Sequence, residues 1–137
     1  MQQVAAILHL VAYATLYNLT KESNMSQSIS RDDLKNLTDS GKTPAIVEAL
    51  PKKYYEAEHL PGAINIPHDE IQAKAAHLIP DKSGVVVVYC ASAECQNSHI
   101  AAETLRRLGY TSVYEYVGGK KDWKEAGLPL ENSGGAR

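Results

Sequence analysis

Four consecutive valines, Val85 to Val88, are the feature that most constrains the fold of this chain. A strand so uniformly apolar is buried on both faces, which is typical of a parallel sheet covered by helices above and below. Tyr89 and Cys90 follow directly, and a pattern with helical spacing runs from His99 to Leu108. Cys90 is therefore predicted at the carboxyl end of a buried strand, where ligands and reactive groups gather in α/β sheets.

The loop after this strand makes Cys90 a candidate nucleophile. It runs to Asn97 and leads into a helix, whose amino end and backbone N–H groups favour an anion such as a thiolate. Free cysteine is also among the most buried residue types, and it often only fills space at the end of a strand. Position alone leaves both interpretations open.

Length and composition narrow the class of protein. A chain of 137 residues has room for one domain with a real core. Its formal net charge of -2 gives no field that would recruit nucleic acid, so no nucleic-acid partner is expected. Cys90 and Cys95 are the only two cysteines and do not form the framework of a secreted domain, which favours a reducing, cytoplasmic compartment. The five histidines are scattered without the spacing of a zinc site, and no metal is expected.

The first 25 residues differ from the rest of the chain. Residues 1–19 contain no acidic, lysine or arginine side chain and favour a helix, followed by a polar link. This segment lacks the basic start of a secretory signal, and its apolar run is shorter than the ~20 residues needed to span a bilayer. It is open to three interpretations: an extra apolar helix packed on the domain, a self-association or membrane-contacting face over residues 4–19, or an artefact of an upstream start codon, with Met25 as the natural beginning.

Strands and helices alternate between residues 26 and 131, in an order that predicts the fold. Helices are predicted after Ser30, which can act as an N-cap, and at 68–78, 99–108 and 121–126; strands are predicted at 44–50, 63–66, 85–89 and 110–117. Asn97 or Ser98 is expected to cap the third of these helices. The predicted inner faces of the middle helices are Ile71, Ala75 and Leu78, and Ile100, Ala101, Leu105 and Leu108. The order predicts a single α/β domain, with a mainly parallel sheet of about five strands, helices on both faces and a mobile tail at 132–137.

Several segments in register resemble one known family. They are His59-Leu60-Pro61-Gly62-Ala63, Val87-Val88-Tyr89-Cys90, the Leu105 to Tyr110 helix end, Val113-Tyr114, Gly118-Gly119 with Trp123, and Gly127-Leu128-Pro129. From about Ile29 to Glu131 the chain resembles the rhodanese-like domains, a family of single-domain sulfurtransferases. The α/β fold of that family agrees with the alternation of strands and helices predicted above.

The resemblance implies a function and a site. Cys90 would accept a sulfane sulfur from a small donor as a persulfide and pass it to a thiol or cyanide, with a protein acceptor left open. The substrate would be held by the loop amides of Ala91, Ser92, Ala93, Glu94, Cys95 and Gln96. No cofactor is implied, because the protein itself carries the sulfur. Local chemistry agrees, since attack needs a thiolate and amides at a helix start can hold that anion.

The chain also departs from the family pattern. Its loop is about two residues longer and holds no cation, while Glu94 would repel an anionic donor by about 1 kcal/mol at ~4 Å in water. Glu48 can replace the usual strand-end acid, but Leu50 stands where an arginine is usual, and Glu58 replaces the glycine before His59. These departures argue against efficient thiosulfate turnover and leave persulfide chemistry open.

Three alternatives compete with this interpretation. A phosphatase of related fold would need an arginine five intervening residues after Cys90, and that position is Gln96. Cys95 could resolve a persulfide on Cys90, act with it as a redox pair, accept sulfur itself or only fill space. A non-catalytic binding module would keep the fold without its chemistry. His59 is expected to bond nearby backbone, and His99 to lie at the helix start near the thiol.

Overall fold

The structure, a computed structural model, describes residues 27–133 of the chain. The predicted apolar segment at 1–25, with its membrane-contacting face, and most of the predicted mobile tail lie outside this range. The boundaries of the predicted domain, 26 and 131, stay predictions. No helix within the described range is long and apolar enough to cross a membrane.

Strands and helices alternate along the described chain, as the sequence predicts. The strands are β1 (Ala45–Glu48), β2 (Ile64–Asn65), β3 (Val85–Tyr89) and β4 (Ser112–Tyr116). The helices are α1 (Arg31–Asp39), α2 (Lys52–Ala57), α3 (Ile71–Leu78), α4 (Asn97–Arg107) and α5 (Gly119–Glu125), and a 3₁₀ turn (His68–Glu70) precedes α3.

All neighbouring strands pair in parallel, in the order β2-β1-β3-β4. The fold is therefore a single α/β domain, which confirms the prediction. The sheet has four strands between residues 27 and 133, against the approximate five expected, and an isolated parallel bridge from Ser28 to Glu115 extends it beyond β4. The valine strand β3 lies in the interior of this sheet, paired with β1 and β4, and Val86 to Val88 are fully buried, so both of its faces are covered.

Two apolar clusters, one built on each set of alternating β3 side chains, form the core. Val86 and Val88 belong to the cluster that includes Ile71, Ala75, Ala101, Leu105 and Tyr110. Val87 and Tyr89 belong to the other cluster, with Leu34, Leu60, Tyr116 and Trp123. Successive side chains of a strand point to opposite faces, so this division is the one a doubly covered strand requires.

The predicted start of α1 is confirmed, and one residue on each of two predicted helix faces needs correction. The Ser30 side chain accepts a hydrogen bond from the backbone N–H of Asp33 at 3.0 Å, which caps the helix. Leu78 and Ile100, predicted to face the core, are 43% and 42% exposed. Ile79, which follows α3, and Ala102 of α4 are buried instead. The small Ala102 belongs to the core cluster of Val86 and Val88, where α4 packs closely on the sheet.

Candidate active site

Cys90 directly follows β3, at the carboxyl edge of the sheet, and is 1% exposed. The segment 91–96 then leads into α4. The N–H of Cys95 donates to the Ser92 carbonyl at 3.1 Å, and within residues 27–133 it is the one amide of this loop that donates to a backbone carbonyl. The other amides of the loop thus remain available to hold an anion.

The two cysteines are joined in a disulfide, with their Cα atoms 6.4 Å apart. Cys95 is half-buried, whereas Cys90 is almost fully enclosed. Of the alternatives that the sequence leaves open for Cys95, the role of a mere space filler does not account for this bond. The loop geometry brings both sulfur atoms into reach of each other.

A chain of polar contacts runs outward from Cys90. Its Sγ lies 3.4 Å from Ser98 Oγ, and the Ser98 hydroxyl donates to Glu115 Oε2 at 2.8 Å. Glu115 Oε1 in turn lies 3.6 Å from His99 Nδ1. When the disulfide is reduced, the Cys90 thiol can donate to Ser98, whose own proton points to a carboxylate. This is a path by which the thiol can lose its proton.

This arrangement corrects the capping role predicted for Asn97 or Ser98. The N-cap of α4 is Gln96, whose backbone is helical, and no side chain caps the helix. Ser98 is 2% exposed and faces Cys90. His99 lies at the helix start as expected, but Glu115 of β4 was missed. The alternation of Tyr114, Glu115 and Tyr116 indicates only which face each residue takes, not which cysteine it approaches.

The first turn of α5 hydrogen-bonds to the start of the Cys90 loop. The N–H groups of Lys120 and Lys121 donate to the carbonyls of Cys90 and Ala91, both at 2.9 Å. Gly119 has φ of +67°, and a Cβ atom there would lie 2.4 Å from the Cys90 carbonyl oxygen. Only glycine accommodates both the left-handed backbone and this close approach. The turn predicted at Gly118-Gly119 therefore packs directly against the backbone of the Cys90 loop.

A buried network lies next to this support. Glu48 is fully buried at the end of β1; its Oε1 accepts from the Tyr89 hydroxyl at 2.7 Å, and its Oε2 pairs with Lys120 Nζ at 3.0 Å. Lys120 also donates to the Tyr54 carbonyl at 3.0 Å, and the N–H of Leu60 donates to the Tyr89 hydroxyl at 3.0 Å. Burial, with the neighbouring Glu48 carboxylate, raises the pKa of Tyr89 far above its usual range, so the phenol stays protonated and donates.

The cation missing at Leu50 is thus supplied from α5. Sequence reasoning assigned Glu48 to the acid position without finding Lys120, 72 positions away. One signal was available, because an ionised carboxylate in an apolar strand needs a partner of opposite charge. That signal does not say which of the 14 lysines and arginines is the partner.

Lysines also line a cleft beside the loop. The cleft has a volume of about 350 Å³ and borders Ala91, and its walls include Lys120, Lys121 and Lys124 together with Glu58. Lys124 pairs with Glu58 at 3.1 Å, while Lys121 has no ionic partner among residues 27–133. A larger cavity of about 710 Å³ lies elsewhere, near α2 and the 3₁₀ turn, and does not touch the loop. Cations absent from the loop itself therefore lie next to it.

The remaining predicted site residues form the exposed outer part of the loop. Ala91, Ala93, Glu94 and Gln96 are exposed, and Ser92 is half-buried. The Glu94 carboxylate accepts a hydrogen bond from the Ser92 hydroxyl at 3.1 Å, on the solvent side. Water therefore screens the charge of Glu94, and its repulsion of an anionic donor stays at about 1 kcal/mol.

His59 is a structural residue, as expected. Its Nδ1 lies 2.7 Å from the Tyr55 carbonyl oxygen, and its ring stacks on Tyr55 with a centroid distance of 3.8 Å. Trp123 and Tyr110 are buried packing residues. No three histidine, cysteine, aspartate or glutamate side chains of the described range cluster so as to hold a metal ion.

The match to a protein family covers most of this domain. A model described as "Rhodanese-like domain" matches residues 30–126, more than half of the chain, and the chain belongs to this family. The resemblance carried by the sequence motifs is confirmed.

Relatives and solved structures agree on the family but differ in what they are named for. The chain is 46% identical to thiosulfate sulfurtransferase PspE of Escherichia coli, over 50% of this chain and 62% of that protein. It is 34% identical to the HTH-type transcriptional regulator Rv0324 of Mycobacterium tuberculosis, over 76% of this chain and 44% of that protein. The crystal structure of thiosulfate sulfurtransferase from Pseudomonas aeruginosa superposes with a TM-score of 0.72 at 27% identity, covering 83% of this chain and 22% of that one. The chain thus spans less than two thirds of each.

Proposed function

We propose that this domain is a sulfurtransferase that carries a sulfane sulfur as a persulfide on Cys90 and transfers it to a thiol or cyanide. The observation that carries the proposal is the position of Cys90, at the end of a central parallel strand, beneath a loop with free amides and beside Ser98. Two relatives named as thiosulfate sulfurtransferases support the reaction class.

The reaction divides into two balanced steps. In the first, the Cys90 thiolate attacks the outer sulfur of a donor such as thiosulfate, the S–S bond of the donor breaks, and sulfite leaves with the bonding electron pair. In the second, an acceptor thiolate attacks the terminal sulfur of the Cys90 persulfide and releases the Cys90 thiolate. Both steps need a thiolate, and the Ser98–Glu115 contact provides the route for its proton.

The loop residues from Ala91 to Gln96 are proposed to hold the persulfide and the donor through their amides. Backbone N–H groups at a helix start stabilise negative charge without any side-chain cation. Lys121, which has no ionic partner in the described range, then draws an anionic donor towards Ala91. This supply of charge from α5 weakens the argument from the sequence that thiosulfate is poorly used.

Two rival interpretations, the phosphatase and the binding module, lack such support. The position of a phosphate-binding arginine is occupied by Gln96, an exposed neutral side chain. A pure binding module would not need a cysteine that is linked to a carboxylate, Glu115, through the hydroxyl of Ser98. A small sulfur donor, a thiol or protein acceptor and a cytoplasmic location complete the proposal.

The test is sulfur loading of the reduced protein. Purified wild-type chain and Cys90→Ser are incubated with thiosulfate and, separately, with a small-molecule persulfide, and the intact mass is measured with peptide mapping. With at least one donor, we expect the wild type to take up one sulfur at Cys90, seen either as a persulfide or as released sulfide with a Cys90–Cys95 disulfide. We expect neither product in the variant, whose circular dichroism spectrum should be unchanged. Loading retained in Cys90→Ser would move the chemistry to Cys95, and a wild type that shows neither a persulfide nor released sulfide with a disulfide would leave the binding module.

A further inference from the structure

The loop contains a second thiol placed for reaction with whatever Cys90 carries. The Cα separation of 6.4 Å lies within the range that disulfides adopt, and the turn closed by Cys95 N–H and Ser92 O holds the loop in this shape. Cys95 therefore needs no movement of the sheet or of α4 to reach the Cys90 sulfur. A thiol tethered this closely has a high effective concentration compared with any acceptor in solution.

The two cysteines differ in accessibility, which gives each a separate role. Cys90 is 1% exposed in the disulfide form, so an outside thiol does not reach it. Cys95 is half-buried, so of the two cysteines it is the one that solvent can approach. Ser98 lies next to the sulfur of Cys90. When a thiolate attacks the disulfide at Cys95, the leaving group is the Cys90 thiolate, which has the Ser98–Glu115 proton relay beside it.

We propose that Cys95 is a resolving thiol, which makes the domain a persulfide reductase that releases hydrosulfide. The proposal rests on the persulfide function above. The Cys95 thiolate attacks Cys90 Sγ, the bond between Cys90 and the sulfane sulfur breaks, and the sulfane sulfur leaves as HS⁻ with the electron pair. The two cysteines are oxidised to the disulfide, and the sulfane sulfur is reduced to sulfide, so that atoms and electrons balance.

Turnover then requires an external dithiol, protein-borne or small. Its first thiolate attacks the accessible Cys95 sulfur and expels the Cys90 thiolate, and its second thiol resolves the mixed disulfide and restores Cys95. The disulfide seen in the structure is the product state of one such cycle. Sulfur transfer to an acceptor and release as hydrosulfide thus compete for the same persulfide.

Single-turnover sulfide release tests this directly. Fully reduced full-length chain, freed of reductant under anaerobic conditions, receives one equivalent of thiosulfate or of glutathione persulfide. Sulfide is trapped with monobromobimane, and the protein is mapped by mass. Wild type is compared with Cys95→Ala and Cys95→Ser, which change a half-buried loop position and leave Cys90 in place.

The wild type should release about one sulfide per chain and end with Cys90 and Cys95 linked, whereas both variants should retain the added sulfur on Cys90 and release about tenfold less. A wild type that keeps its persulfide, or variants that release sulfide equally fast, would overturn the resolving role while leaving sulfur carriage intact. Failure of all three proteins to take up sulfur would instead overturn the proposed function, and the resolving role with it.

Discussion

Two glutamates flank the Cys90 loop, and their surroundings are opposite. Glu48 is fully buried and has both oxygens satisfied, by Tyr89 and Lys120. Glu115 has a side chain that is 14% exposed, and it lies between Ser98 and His99, whose ring is 41% exposed. A carboxylate in a buried ion pair cannot readily exchange protons, and removal of its partner destabilises the fold. One at the edge of solvent, linked to a thiol through a hydroxyl, can do so.

The comparison predicts that changes around Glu48 affect stability and that changes around Glu115 affect rate. The largest effect is expected for Lys120→Met, which leaves the Glu48 carboxylate buried without its cation. The free energy of unfolding should fall by about 3–5 kcal/mol, because a buried charge loses its partner. Urea denaturation measures it, and the matched control is Lys121→Met on the exposed side of α5, expected within about 0.5 kcal/mol of wild type.

Tyr89→Phe should have the next largest effect. It removes the donor to Glu48 and the acceptor for the Leu60 N–H, so stability should decrease by about 1–3 kcal/mol. The rate of sulfur loading at low denaturant should stay within about twofold of wild type, since this phenol does not contact Cys90 in the network described. A large loss of rate without loss of stability would show that the Glu48 network takes part in the chemistry.

Glu115→Gln should show the reverse pattern. The amide still accepts the Ser98 hydrogen bond but cannot take up a proton, so loading at neutral pH should slow about tenfold. The deficit should shrink as pH rises, because the thiol then ionises without help from a base. Stopped-flow rates across pH with a donor in excess measure this, and a deficit independent of pH would mean that Glu115 only positions Ser98.

The smallest effect is expected for His99→Asn. Its ring lies 3.3 Å from Glu103 and 3.6 Å from Glu115 at the surface, and such exposed pairs contribute about 0–1 kcal/mol. Loading and stability should both remain close to wild type. If loading instead falls as far as in Glu115→Gln, His99 is the terminal proton acceptor and the relay extends one residue further.

How much of the fold and of the site can be predicted depends on how far apart in the chain the interacting residues lie. The valine strand, the Ser30 cap and the parallel order follow from patterns within short windows, and so does the place of Cys90 at the sheet edge. The Lys120–Glu48 and Ser98–Glu115 contacts join residues far apart in the chain, and periodicity carries no information on such pairs. Ser98 was assigned to a cap because serine near a helix start usually caps, whereas here tertiary contact with Cys90 takes the side chain.

The predicted helix faces are confirmed at Ile71, Ala75, Ala101 and Leu105, and the exceptions have a related reason. In α4 the apolar Ile100 was expected inside, yet Ala102 and Thr104 are the buried neighbours of Leu105. Hydrophobicity ranks isoleucine as the better core residue, but the helix lies close to the sheet, and small side chains set how closely it can approach. The angle at which a helix crosses a sheet is decided by its partners, so a single helix does not specify it.

The close contact between the Cys90 carbonyl and Gly119 also has a consequence for biosynthesis. Residues of α5 leave the ribosome after both cysteines, so the nascent chain exposes a thiol pair before the support that shapes its loop exists. Until Gly119 and the amides that follow it emerge, the Cys90 and Ala91 carbonyls lack these donors and Glu48 lacks its lysine partner. The reactive centre is therefore complete only after α5 has emerged and docked against the loop.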